Sequence, residues 1–189
     1  MTKLFLLIIS SLLLQFGFTQ YQYDVNIDYP YGQANPKAPQ EIKDYQMLIG
    51  KSKCYSLSRI NQSTWSDTTD MFWTFKYIMN GMAVQDETLK ADGKHSGSIR
   101  QFNSDSSLWY VHYYSTSSIP NRLPTWKSQS EANKIVLYRD QKSPDGTEGY
   151  YRLSFYDISE NSFNWIGEWT SKDESRTYAT WKISCEKIK

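Results

Sequence analysis

Between Met71 and Leu89 the chain reads MFWTFKYIMNGMAVQDETL, with apolar residues at every second position on both sides of Asn80-Gly81. Successive side chains of a strand point to opposite faces, and Asn-Gly between two alternating runs is a strong hairpin signal. A two-residue hairpin there sets Met79 opposite Met82, Tyr77 opposite Val84, Phe75 opposite Asp86 and Trp73 opposite Thr88. Those eight residues share one face, which is apolar except for Thr88 and one carboxylate, Asp86. Further alternating runs predict strands near 52–60, 71–79, 82–90, 98–103, 108–115, 134–140, 150–158, 163–170 and 176–186. The links between them, such as NG, NSDSS, SENS and KDES, are short and rich in turn formers, which makes successive strands antiparallel neighbours.

Two segments depart from that rhythm. In QEIKDYQMLIG the apolar residues Ile42, Tyr45 and Leu48 lie about one turn apart, which predicts a short helix ending at Gly50. The connection Thr116 to Asn133 is long for a compact domain and contains Ile119, Leu123 and Trp126, so it reads either as a lid over a barrel mouth or as an inert packed loop. About nine antiparallel strands in sequence order, preceded by a helix, form most economically an up-and-down barrel, which removes its edges by closure. A β-sandwich is the competing arrangement, but it needs longer crossovers than these turns supply. A barrel of about eight to nine strands can enclose one small ligand.

Compartment follows from the first residues. MTKLFLLIISSLLLQFGFTQ places Lys3 before an apolar run from Leu4 to Leu14 and small residues near a cleavage point at about residue 19, the form of a secretory signal peptide. The run is shorter than the roughly 20 apolar residues of a spanning helix, and no later segment approaches that length. The expected product is exported, periplasmic or extracellular, with an extended leader over 20–40 and one barrel domain over 41–189. In an oxidising compartment Cys54 and Cys185 are most simply a disulfide. Closing so long a loop contributes on the order of 4 kcal/mol in the chain-entropy model, and a bridge between first and last strands implies a sheet closed on itself.

The composition agrees with an all-β chain: 15 Tyr, 7 Trp and 8 Phe dominate over 6 Pro and 9 Gly. A formal net charge of +1 offers no electrostatic case for nucleic acid or an anionic membrane surface. Two histidines, His95 and His112, without a partner at ligand spacing do not point to a metal, and no cofactor is implied.

The order YQMLIGK, FWTFKYIMNGMAVQDETL, GSIRQFNSDSSLWYVHY and LSFYDISENSFNWIGEWTSKDESRTYATWKI resembles an uncharacterised bacterial family with a lipocalin-like (calycin) barrel, of the DUF1579 type. The resemblance spans about Tyr45 to the C-terminus and implies a barrel, with no catalytic residues to carry over.

Cross-strand logic assigns the faces. A four-residue link over Ser104 to Ser107 pairs Phe102 with Trp109, Arg100 with Val111 and Ser98 with Tyr113, an aromatic face that carries Arg100 inward and leaves His112 outward. In the last strand Ala179, Trp181, Ile183 and Cys185 form the inward set. Carried through the KDES turn, that parity sends Ile166 and Glu168 inward, and through SENS also Leu153 and Phe155. It leaves Trp165, Trp169, Tyr156 and Tyr178 as an outer aromatic strip, which would bind sugars or another protein unless the parity is inverted.

Asp86, Arg100 and Glu168 are then charges in an aromatic interior, where an unpaired charge is too costly to persist. Either Asp86 and Arg100 neutralise each other, or Arg100 presents its fork of donors to a ligand's polar head while the acids orient it. The candidate binding residues are Asp86, Arg100, Trp109, Tyr113, Glu168 and Trp181. The function expected is non-catalytic binding of a small amphipathic or hydrophobic molecule. A surface-aromatic module for carbohydrate or protein, and a small lyase or isomerase using the interior carboxylates, are the alternatives.

Overall fold

A computed structural model describes residues 21–131 and 134–189. The expected signal peptide over 1–19 lies outside the described residues. The described residues form a 3-10 helix, Gln40–Leu48, and ten strands: β1 Gly50–Ser58, β2 Thr69–Ile78, β3 Ala83–Lys90, β4 His95–Asn103, β5 Leu108–Ser115, β6 Thr125–Glu131, β7 Lys134–Asp140, β8 Gly149–Tyr156, β9 Ser162–Ser171 and β10 Thr177–Lys187. Each strand pairs antiparallel with its neighbours in sequence, and β10 pairs with β1, so the sheet is a closed barrel without free edges.

The expected all-β, antiparallel, closed architecture is present, but with ten strands rather than eight or nine. The additional strand, β6, comes from the connection over 116–133, read from sequence as a lid or loop. It pairs with β5 through Val111 and Trp126 and with β7 through Ser128 and Leu137. Of the three apolar residues in that connection, Trp126 is buried while Ile119 and Leu123 are exposed.

The Asn80-Gly81 hairpin keeps its expected register: Tyr77 faces Val84, Phe75 faces Asp86 and Trp73 faces Thr88. Its tip is wider than two residues, because Met79, Asn80 and Gly81 all adopt positive φ, and Met79 and Met82 turn out to solvent instead of continuing the inner face. Gly81 is required twice over. Its φ is +76°, and a Cβ there would stand 2.2 Å from the carbonyl oxygen of Gln33.

That close approach exists because the segment before the helix docks on this tip. Asn35 donates its backbone N–H to Gly81 O and its side-chain amide to Asn80 O, and Tyr77 N–H donates to Tyr31 O. The helix follows, and its buried residues Ile42, Tyr45 and Leu48 repeat every third position, the period of a 3-10 turn. All three face the barrel and stabilise it by about 1.5–3 kcal/mol each through burial. Tyr45 meets the edge of Trp109 at 4.9 Å between ring centres, and the Trp109 indole N–H donates to Asp44 Oδ2 at 3.0 Å. Helix and leader together cover the end of the barrel where β1, β3, β5 and β9 begin.

Cys54 and Cys185 stand directly opposite each other across the β1–β10 seam and form the expected disulfide, linking positions 131 residues apart. Among the described residues no helix is long and apolar enough to cross a membrane.

Candidate functional site

Inside the barrel, above the plugged end, lies a cavity of about 310 Å³. Its floor and walls carry Trp73, Val111, Trp126, Leu137, Leu153, Phe155, Trp165 and Ile183. These come from strands all around the barrel, each contributing the inward half of a period-two pattern. The lining continues to Ser96, Pro124, Arg139, Tyr151 and Trp181, residues near the strand ends opposite the helix, so the cavity reaches toward that end as its mouth.

Asp86 and Arg100 both line the cavity and are paired with each other. Asp86 is 4% exposed and Arg100 3%. The Asp86 carboxylate accepts from three donors: Arg100 Nη1 on one oxygen, together with the Ser98 hydroxyl at 2.5 Å, and the Trp73 indole N–H on the other at 2.7 Å. Arg100 is flanked by aromatic rings, 5.1 Å from both Tyr45 and Phe75. Burial works against its charge, yet Asp86 and the Tyr45 hydroxyl beside it hold the guanidinium above its usual value. Burial pushes Tyr45 up to about 12, against the pull of the Arg100 charge. Of the two sequence readings, mutual neutralisation is therefore the arrangement seen, with Arg100 Nη1 committed to Asp86.

The other candidates divide. Tyr113 and Trp181 line the cavity as expected, and the Trp181 indole N–H donates to Ser56 Oγ at 2.7 Å. Trp109 does point inward, but it is packed under the helix by Tyr45 and Phe102 and belongs to the plug rather than the cavity wall. Glu168 is not in the interior. It lies directly opposite Arg152 and bonds to that guanidinium, accepting from its Nε at 3.1 Å, on the outer face with Glu174.

The cause is a one-residue bulge: the β10–β9 register shifts between Ala179 and Trp181, so Ala179 faces Glu168 while Trp181 faces Gly167. An extra residue in one strand reverses the parity of everything beyond it. Trp165 and Gly167 accordingly take the inner positions expected for Ile166 and Glu168. Leu153 and Phe155 nonetheless stay inward, because the β8–β9 link spans five residues, 157–161, where four were expected, and this second one-residue shift pairs them with Gly167 and Trp165.

The same inversion dismantles the outer aromatic strip. Trp165 is 5% exposed in the cavity wall, and the Trp169 indole N–H is held by the Gln141 carbonyl. Tyr178 stays on the surface beneath Arg59. Asp86 and Glu168, the two carboxylates an interior acid–base reaction would need, lie on opposite faces of the wall. Among the described residues no group of three His, Cys, Asp or Glu gathers as a metal site. His112 bonds to Thr125 Oγ1 through Nδ1 at 3.0 Å, while His95 is exposed.

One charged wall residue was not singled out from the sequence: Arg139. It shares the inward face of β7 with Ile135 and Leu137, although the run KIVLYRD does not alternate and Val136 is buried as well. Its guanidinium lies 4.4 Å over the Trp126 ring and donates to Gln141 Oε1 at 3.0 Å. Burial draws it below its usual value, with Tyr151 opposing. No carboxylate stands within ion-pair distance of Arg139 among the described residues. The Trp126 indole N–H is buried without a hydrogen-bond partner in the same set.

No family model matches the chain, and no curated protein does. Among solved structures, a protein of unknown function from the DUF3598 family of Nostoc punctiforme matches with 6% identity over 79% of this chain and 100% of that one, at a TM-score of 0.24. So loose a superposition carries no argument about fold or chemistry, and the barrel rests on the strand pairing described above. The DUF1579 resemblance finds no support in these comparisons.

Proposed function

We propose that this chain is an exported, non-catalytic binding protein of lipocalin-like architecture, which holds a small apolar or amphipathic molecule inside its barrel. The observation that carries this reading is the cavity of about 310 Å³, walled by aromatic and aliphatic side chains and plugged at one end by the helix. Pockets of this size with few polar groups are the usual form of small-molecule sites. Export is supported by the apolar N-terminal run and by the Cys54–Cys185 disulfide, a bond that persists in oxidising compartments.

The test is native mass spectrometry of the protein recovered from its own exported compartment, followed by denaturing extraction of whatever it carries. Binding of the uncharged fluorophore phenylnaphthylamine, by wild type and by Leu153→Trp, supplies the second arm. One molecule bound per chain, and excluded when Leu153→Trp fills the cavity, is the outcome expected. A folded protein that arrives empty and binds the fluorophore equally well with the cavity filled would end the proposal.

A further inference from the structure

Resting on that binding reading, we infer that the cavity selects a singly charged organic anion, a carboxylate or sulfonate on a flat apolar body, whose head is held at the mouth by Arg139. The charge count of the lining leads there. Among the described residues its ionic groups are Asp86, Arg100 and Arg139. Asp86 and Arg100 neutralise each other, and all three donors around Asp86 are already engaged with it. What remains is one positive charge, on Arg139.

Arg139 is also placed to act as a receptor for an anion. Its guanidinium lies over Trp126, which orients the planar fork while leaving N–H groups beyond those used by Gln141. The buried indole N–H of Trp126 adds an unused donor to a lining whose other uncharged polar side chains are hydroxyls, those of Thr88, Ser96, Ser98, Tyr113 and Tyr151. Outside the lining, Lys90 lies 4.5 Å over the ring of Trp181, which itself lines the cavity. An uncharged ligand would leave the Arg139 charge without a counter-ion, and a cation would add a second positive charge beside it at the half-buried mouth.

The experiment uses two probes that differ by one anionic group: anilinonaphthalenesulfonate and phenylnaphthylamine, titrated into the intact disulfide-bonded chain, its Arg139→Gln variant and its Leu153→Trp variant. Wild type should bind the sulfonate more tightly than the uncharged probe. Arg139→Gln should weaken the sulfonate about tenfold, the worth of one charge-assisted hydrogen bond, and weaken phenylnaphthylamine far less. Leu153→Trp should exclude both.

If Leu153→Trp excludes both probes but Arg139→Gln leaves the sulfonate affinity intact, the anion inference is wrong and the cavity reading survives. If Leu153→Trp excludes neither, or neither probe binds wild type, both readings fall together. Thermal melting establishes that each variant is folded. Should Arg139→Gln not fold, Arg139→Met takes its place, removing the charge while keeping an apolar stem over Trp126; an unchanged sulfonate affinity there would overturn the inference.

Discussion

Two arginine–carboxylate pairs sit on opposite surfaces of the same barrel wall, and they differ in how many ways each charge is compensated. Arg100 faces the cavity with a single acid, Asp86, and aromatic rings elsewhere around it. Arg152 faces outward between two acids, Glu168 and Glu174, with Tyr138 bonded to Glu174 at 3.3 Å. Burial opposes the charge on both arginines, and in both the neighbouring carboxylates and a tyrosine hydroxyl, Tyr45 or Tyr138, together outweigh it. The inner pair has no substitute if one member is lost. The outer arginine does.

The largest effect should therefore follow Asp86→Ala, which strands the Arg100 charge in a nearly dry wall and leaves the Trp73 and Ser98 donors without their acceptor. A loss of about 3–5 kcal/mol is expected, read by denaturant unfolding of the oxidised protein. Replacing both members, Asp86→Leu with Arg100→Met, removes the stranded charge and should recover most of that loss, to within about 1–2 kcal/mol of wild type. If the double variant is as unstable as the single one, the pair is more than a mutual neutralisation, and the comparison with Arg152 has been drawn on the wrong ground.

How much of this was legible in sequence depends on where turns fix parity. From β2 through β5 the short links determine which residues stand opposite each other, and the inward positions of Trp73, Phe75, Asp86, Arg100 and Tyr113 follow without ambiguity. At the β9–β10 hairpin the same logic fails, because the extra residue at the bulge in YATWK has no compositional mark. One step of parity moved Glu168 from the cavity to a buried place on the outer face of the wall, and Trp165 from the outer face to the cavity.

Strand β6 escaped for a different reason. Its sequence TWKSQSE contains one large apolar residue, and two prolines just upstream, Pro120 and Pro124, read as loop. Closure by strands on both sides, not local propensity, gives it its strand. Arg139 was not legible in this way, because Ile135 to Tyr138 is a contiguous apolar run in which Val136 is buried too, and nothing in it marks which parity faces the cavity.

The outer pair supplies the smaller effects. Glu168→Gln keeps an acceptor opposite Arg152 and leaves Glu174 as counter-ion, so a cost of about 1 kcal/mol is expected. Glu174 is half exposed, and Glu174→Gln should cost less than about 0.5 kcal/mol, a difference that shrinks further in high salt where exposed charges are screened. The informative measurement is the pair of single variants beside the Glu168→Gln, Glu174→Gln double. If Arg152 has two interchangeable acids, the double should cost more than the two singles summed, because only then is a half-buried guanidinium left without any carboxylate. Simple additivity would mean that Arg152 is solvated enough to need neither acid. The contrast with Arg100 would then be one of water access rather than of partner number.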